Sequence, residues 1–412
     1  MCIRDRWECY AVNTVSHIKN TFCDHLRDNR PNPIERYILD IKLYLIVFES
    51  DITLTDRCMK MLRDYSLLGP SAKDAEKKGL AAAKWYHSDI SREDMKDLMQ
   101  RRDLPAIRDT LIYYLLLLST SILGVLLWGT LYCIPFWLVY SLLYTAGADS
   151  RWHEAGHRTA FKTQWMNNFV YQIACFMLFR NPVLWRWSHS RHHTDTIIVG
   201  RDAEIVTMRP PDLIKVAMLF FGLHTFEGLK ATFRHAVQGL NEEEREFTPP
   251  QYVDEAQRIA RIWVLIVICV VLLALIKKSI LPLMIVGVGP AILGSWHLIM
   301  TGLLQHTGLA DNVLDHRLNT RTVYMNFFSR FIYWNMNYHV EHHMFPMVPY
   351  HNLPRLHRLI KHDLPEPNPG FLDGLREVFY ALRRQLSDPE YRIDRQLPST
   401  AKPYNHHLSD AV

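Results

Sequence analysis

The chain has 412 residues, a formal net charge of +5 and 49% hydrophobic side chains. So small a charge gives no reason to expect a nucleic-acid partner. Its seven cysteines (Cys2, Cys9, Cys23, Cys58, Cys133, Cys175, Cys269) form no C-x-x-C pair. That pattern argues against a zinc ribbon or a disulfide framework and fits a reducing compartment.

Residues 1–84 read as a soluble, mostly helical region with no recognisable chemistry. Met1 to Arg6 are polar and charged, with no apolar run behind them, so no secretory signal is expected. Leu43 to Phe48 is apolar but too short to cross a bilayer. Ser91 with Glu93 and Asp94 predicts a helix start, and Arg101-Arg102 a cationic edge before a membrane.

Apolar blocks follow. Residues 111–148 carry no charged side chain, about twice the ~20 residues that one span needs. They predict a helical hairpin, with spans at about 110–128 and 131–148 and a turn near Gly129 to Pro135. Trp128, Tyr132 and Trp137 lie where interfacial aromatics belong. Residues 149–260 are polar overall. Within them Phe169–Phe179 and Leu213–Phe226 are apolar but short, suited to the interface plane. Glu242 to Glu246 with Pro249-Pro250 reads as a solvated linker. A second hairpin is predicted from spans at about 259–277 and 281–304, joined at Lys277-Lys278. Residues 366–412 form a C-terminal tail. The expected fold is all-α and integral to the membrane, with four spans in two hairpins.

Eight histidines fall into three clusters: His153-x-x-x-His157, His189-x-x-His192-His193 and His339-x-x-His342-His343. On a helix, positions i, i+3 and i+4 share one face, so each cluster can aim its imidazoles at one point. One H-x-x-H-H is expected by chance roughly 0.05 times in such a chain, so two together are informative. Imidazole suits iron, zinc, copper and nickel. Eight converging rings are too many for one tetrahedral zinc and about right for two adjacent ions. His351, His357 and His362 are assigned to a polar helix face.

Two hairpins return the chain to one side, so the three boxes meet on one face. Arg101, Arg102, Arg108, Arg151, Arg158 and Lys162 mark that face as cytosolic, against Lys277 and Lys278 opposite. Both termini fall on the same side, with the boxes in a helical cap.

The boxes on four spans resemble the membrane fatty acid desaturase and hydroxylase superfamily, over roughly residues 85–365. The H-x-x-x-H box looks like the acyl-lipid type. Asn337 to Pro346 is similar to the third box of bacterial and sphingolipid-type desaturases. The resemblance implies a ninth ligand near the end of the last span. His306 fits that place, with His297 as rival. It further implies two irons, O2 as co-substrate, and a double bond or hydroxyl introduced into a lipid acyl chain. Carboxylates are expected to orient the imidazoles, with Glu154, Asp195, Asp202 and Glu341 as candidates. Trp185-Arg-Trp187 is also similar to a branch that oxidises small methylated compounds, as a rhizopine demethylase component does.

Two other classes compete. His153-Glu154-Ala-Gly-His157 satisfies the H-E-x-x-H pattern of zinc proteases. A metal transporter would instead place its ligands within the spans. The oxygenase reading needs two electrons per turnover. The sequence holds no cytochrome b5 haem motif, no C-x-x-C pair, no iron–sulfur cysteine set and no G-x-G-x-x-G. A separate ferredoxin or cytochrome b5 with its reductase is therefore expected.

Overall fold

The computed structural model describes residues 63–403. Leu43 to Phe48 and the end of the tail lie outside them. Among the described residues there is no β-strand, only isolated bridges pairing Thr322 with Tyr338 and Val323 with Asn368.

Ser91 caps a short helix, Arg92–Leu98, by accepting from the Asp94 N–H at 3.0 Å. The first long helix, α1 (Asp103–Leu126), follows. A turn through Gly129, whose φ is +87°, leads into a second rod, α2. It runs without a break through Cys133–Leu142, a π-helical turn Leu143–Gly147 and Ala148–Gly156. Box one is therefore the end of this helix. α3 (Pro182–Thr194) carries box two. Asn181 caps it, and Pro182 starts it where a missing N–H costs nothing. α4 (Val253–Lys277) is the second long apolar helix.

Four uniform spans do not emerge. Among the described residues, only two helical stretches, Arg92–Leu126 and Pro250–Lys277, are long and apolar enough to cross a membrane. They turn their apolar side chains outward: just 22% and 17% of their most apolar windows are buried. Leu111, Leu115, Leu118, Leu265, Leu275 and Ile276 are exposed. A soluble core helix would bury such residues.

The other two expected spans are less uniform: α2 exposes Ile134, Leu138 and Val139 in its first half and is buried in its second. In α2, Tyr140, Ser141 and everything from Leu143 to Ala155 is buried. The expected span at 281–304 is broken into Leu281–Ile285, Val288–Leu293 and α5 (Ser295–His306). The breaks fall at Gly287 and Gly294. Backbone groups freed there find partners on α2. The Gly287 N–H donates to the Tyr144 hydroxyl at 2.9 Å, and the Tyr140 hydroxyl donates to the Ile285 carbonyl. Thr145 donates to the Gly294 carbonyl at 2.9 Å. A Cβ at Gly294 would sit 2.0 Å from the Ser141 carbonyl oxygen, so only glycine permits this approach. Irregular backbone is tolerated in such a setting because protein, not lipid, surrounds it.

Three smaller expectations change. Residues 242–247 form a helix, Glu242–Phe247, held by a capping box between Asn241 and Glu244, and not a loose linker. Arg151 is fully buried instead of marking the surface. Its guanidinium lies 3.8 Å from the Tyr113 ring centre and 4.8 Å from that of Trp334. His357 is buried too, and does not line a polar face. The two short apolar stretches become the helices Gln164–Met177, Leu213–Phe220 and Leu223–Val237. They expose Trp165, Phe169, Ile214 and Phe226.

After α5 the chain forms α6 (His339–Met344), which carries box three, and α7 (Phe371–Gln385), which packs on α5. Arg321 ties these together. It donates to the carbonyls of Leu304 at 2.8 Å and Thr307 at 3.0 Å, and to Glu377 of α7 at 2.9 Å.

Candidate metal centre

The three box-bearing helices and the end of α5 converge. Nine imidazoles form two groups: His153, His157, His189, His193 and His342 in one, and His192, His306, His339 and His343 in the other. Within each group the candidate ligand atoms lie within 4.8 Å of one another. Every histidine of the three boxes is present, and so is His306. Neighbouring positions on α3 feed different groups, His192 one and His193 the other, because they are about 100° apart around the helix. His297 is elsewhere, stacked on Phe371 at 5.8 Å. It precedes His306 by two and a half turns, which places the two on opposite faces of α5.

The ring nitrogens fit a pair of ions. His153 Nε2 faces His342 Nε2 at 2.7 Å, His157 Nε2 faces His189 Nε2 at 3.0 Å, and His339 Nε2 faces His343 Nε2 at 3.2 Å. Two nitrogens bound at right angles to one ion, each ~2.1 Å from it, stand about 3.0 Å apart. His306 Nε2 is buried with no hydrogen-bond partner among the described residues.

Electrostatics prepares the same function. Burial, and then the neighbouring imidazoles, push His153, His189, His193, His339, His342 and His343 well below the usual histidine range. Burial lowers His157 to about 4 and His306 to about 3. Neutral imidazoles keep the lone pair that ligation needs. His192 goes the other way: burial opposes its protonation, but Asp202 outweighs burial and the net shift is upward.

Partners on the far ring nitrogen fix which nitrogen points inward. His192 donates from Nδ1 to Asp202 at 2.8 Å, and His189 from Nδ1 to Glu204 at 3.0 Å. His306 donates to the Asn319 carbonyl at 2.9 Å, and His343 lies 3.2 Å from the Thr196 hydroxyl. Of the four carboxylates expected to orient imidazoles, Asp202 contacts a clustered histidine. Glu154 instead accepts from Thr159 at 2.7 Å and from the Tyr350 N–H at 3.1 Å. Asp195 pairs with Arg201 at 3.0 Å. Glu341 accepts from Thr322 at 2.6 Å and pairs with His357. Glu204 was missed, although its place two residues past Asp202 offered a signal. Burial raises its carboxyl to about 7.

A cavity of about 130 Å³ adjoins the centre. Trp152, His153, His189, His192 and His306 line it, together with Leu298, Ile299 and Gly302 of α5. Asp149, Arg180, Arg209 and Asp311 also reach it.

Comparison with known proteins agrees with this geometry. The pattern of the family described as fatty acid desaturase matches residues 135–373, which include all nine histidines. A Delta(8)-fatty-acid desaturase from Euglena gracilis is 24% identical over 262 residues, covering 54% of this chain and 61% of that protein. The chain thus spans less than two thirds of that relative. With its three boxes inside the matched region and their imidazoles gathered at one centre, the chain belongs to the fatty acid desaturase family.

Proposed function

We propose that the chain is a membrane-embedded, O2-dependent oxidoreductase that introduces a double bond into a lipid acyl chain, using two irons held by the nine histidines. One observation carries this: nine buried or half-buried imidazoles, eight of them shifted toward the neutral form, divided into two groups whose facing nitrogens have ligand spacing. Bound there, the irons supply O2 reduction and hydrogen removal from an unactivated C–H bond, chemistry that no side chain provides. The protein's part is ligation, orientation and exclusion of water. Asp202 and Glu204 hold His192 and His189 by the outer nitrogen, and Arg321 steadies the turn that carries His306. Hydroxylation uses the same centre, so the outcome depends on how the substrate lies in the cavity.

The zinc-protease reading needs one ion and a third ligand beside His153 and His157, and it leaves the remaining imidazoles of the two groups unexplained. A second oxygenase reading has one observation in its favour. Asp149, Arg180, Arg209 and Asp311 bring charge to the cavity, which suits a small polar methylated substrate better than a bare hydrocarbon.

In our reading the chain crosses the membrane four times, α1 and α4 outermost, with the boxes and both termini on the cytosolic face. Two electrons per turnover come from a separate ferredoxin or cytochrome b5 and its reductase. The deciding experiment is expression in a lipid-producing host, with product analysis by mass spectrometry and iron measured on purified protein. About two irons per chain and a new double bond are expected. A single tightly held zinc, or an unchanged lipid profile beside a demethylated small molecule, would overturn the acyl-lipid assignment. Purified protein with NAD(P)H and O2 alone should be inactive until carrier and reductase are added.

A further inference from the structure

Gly129 and Gly302 are two glycines at which an added Cβ would meet no atom within 4 Å. Gly129 needs no further reason, since it turns the chain with positive φ. Gly302 sits inside α5, where glycine is unfavourable relative to alanine and nothing crowds the position. Neither packing nor backbone conformation asks for glycine here.

Its surroundings offer another reason. Gly302 lines the cavity beside the metal centre, together with Leu298, Ile299 and Gln305 of the same helix. Leu298, Gly302 and His306 follow one another at four-residue spacing and share a face. An apolar wall therefore runs along α5 to a histidine of the second group, and it is left bare one turn before that histidine.

We infer that Gly302 is a size-selecting residue: the space left by its missing side chain holds the hydrocarbon of the substrate as it passes His306. This rests on the acyl-lipid reading above. A methylene chain must lie close to the centre for one C–H bond to react, and a side chain at 302 would occupy that path. Pocket width is read in single methylenes, each worth about tenfold or more in discrimination.

The test is a graded series in the full-length chain: Gly302→Ala, Gly302→Leu and Gly302→Phe. All three should keep the wild-type iron content, and the alanine variant should melt at a higher temperature. Leu and Phe should raise KM about tenfold or more and shift products toward shorter chains, in order of size. A Gly302→Cys variant supplies a readout independent of turnover. Its thiol should react quickly with methyl methanethiosulfonate and slowly when an oleoyl phospholipid is present. A phenylalanine variant with wild-type KM and products, or cysteine labelling indifferent to lipid, would overturn the assignment. Iron loss in the larger variants would also overturn it, assigning Gly302 to support of His306. A wild-type chain that converts no acyl lipid would instead bring down the acyl-lipid reading.

Discussion

Single residues divide the labour at the centre in ways that mutation can separate. Asp202 and Glu204 each hold the outer nitrogen of one histidine, His192 and His189. Asp202→Asn and Glu204→Gln keep the shape but weaken the acceptor. Each should lower iron affinity by roughly 10–100-fold, measured by metal analysis after graded chelation. Asp195→Asn, whose parent carboxylate pairs with Arg201, should not. The two histidines of α5 make a second contrast. His306→Ala should reduce iron content and activity together, whereas His297→Ala, remote from both groups, should leave iron in place. Reversal of that order would move the ninth-ligand role to His297. At this scale the sequence was most readable where spacing alone decides. The boxes announce themselves because i, i+3 and i+4 must share a helix face. The carboxylates were less readable, since Glu154, Asp195 and Glu341 stand as near the boxes in sequence as Asp202 does. Which of them reaches a ring depends on how loops return. Asn319 could not be found at all, because it acts through a backbone carbonyl.

Among the helices, differences in burial explain why two of the four expected spans, among the described residues, stand out as long apolar helices and the other two do not. α1 and α4 show apolar side chains to their surroundings and read as uniform apolar runs. The buried face and second half of α2 meet protein, so they can carry Tyr140, Tyr144 and Thr145, and those hydroxyls support the broken helix beside it. A break satisfied from another helix leaves no mark in local composition beyond its glycines. Gly294→Ala forces a methyl into the Ser141 carbonyl and the Thr145 hydroxyl. It should destabilise the fold by about 1–3 kcal/mol, the usual cost of overpacking. Thermal unfolding in detergent would show it, and a variant as stable as the parent would mean that the two helices are free to separate.

For the whole molecule, the four-crossing arrangement is open to a direct check. Reporters fused at residues 1 and 412 should both signal the cytosol, and one inserted near Lys278 the opposite side. An external C-terminus would refute the two-hairpin arrangement. Burial of Arg151 removes one positive charge from the orientation count, but Arg101, Arg102, Arg108, Arg158 and Lys162 still outnumber Lys277 and Lys278.

The split of the nine imidazoles also has a consequence in time. A growing chain that has reached residue 304 already contains four members of the first group: His153, His157, His189 and His193. Of the second group it contains only His192. His306, His339 and His343 arrive later, and His342 closes the first group within the same short helix. The two ion positions are thus unequal during synthesis. The first can be roughed out by the upstream half of the protein, while the second exists only once the third box has been made.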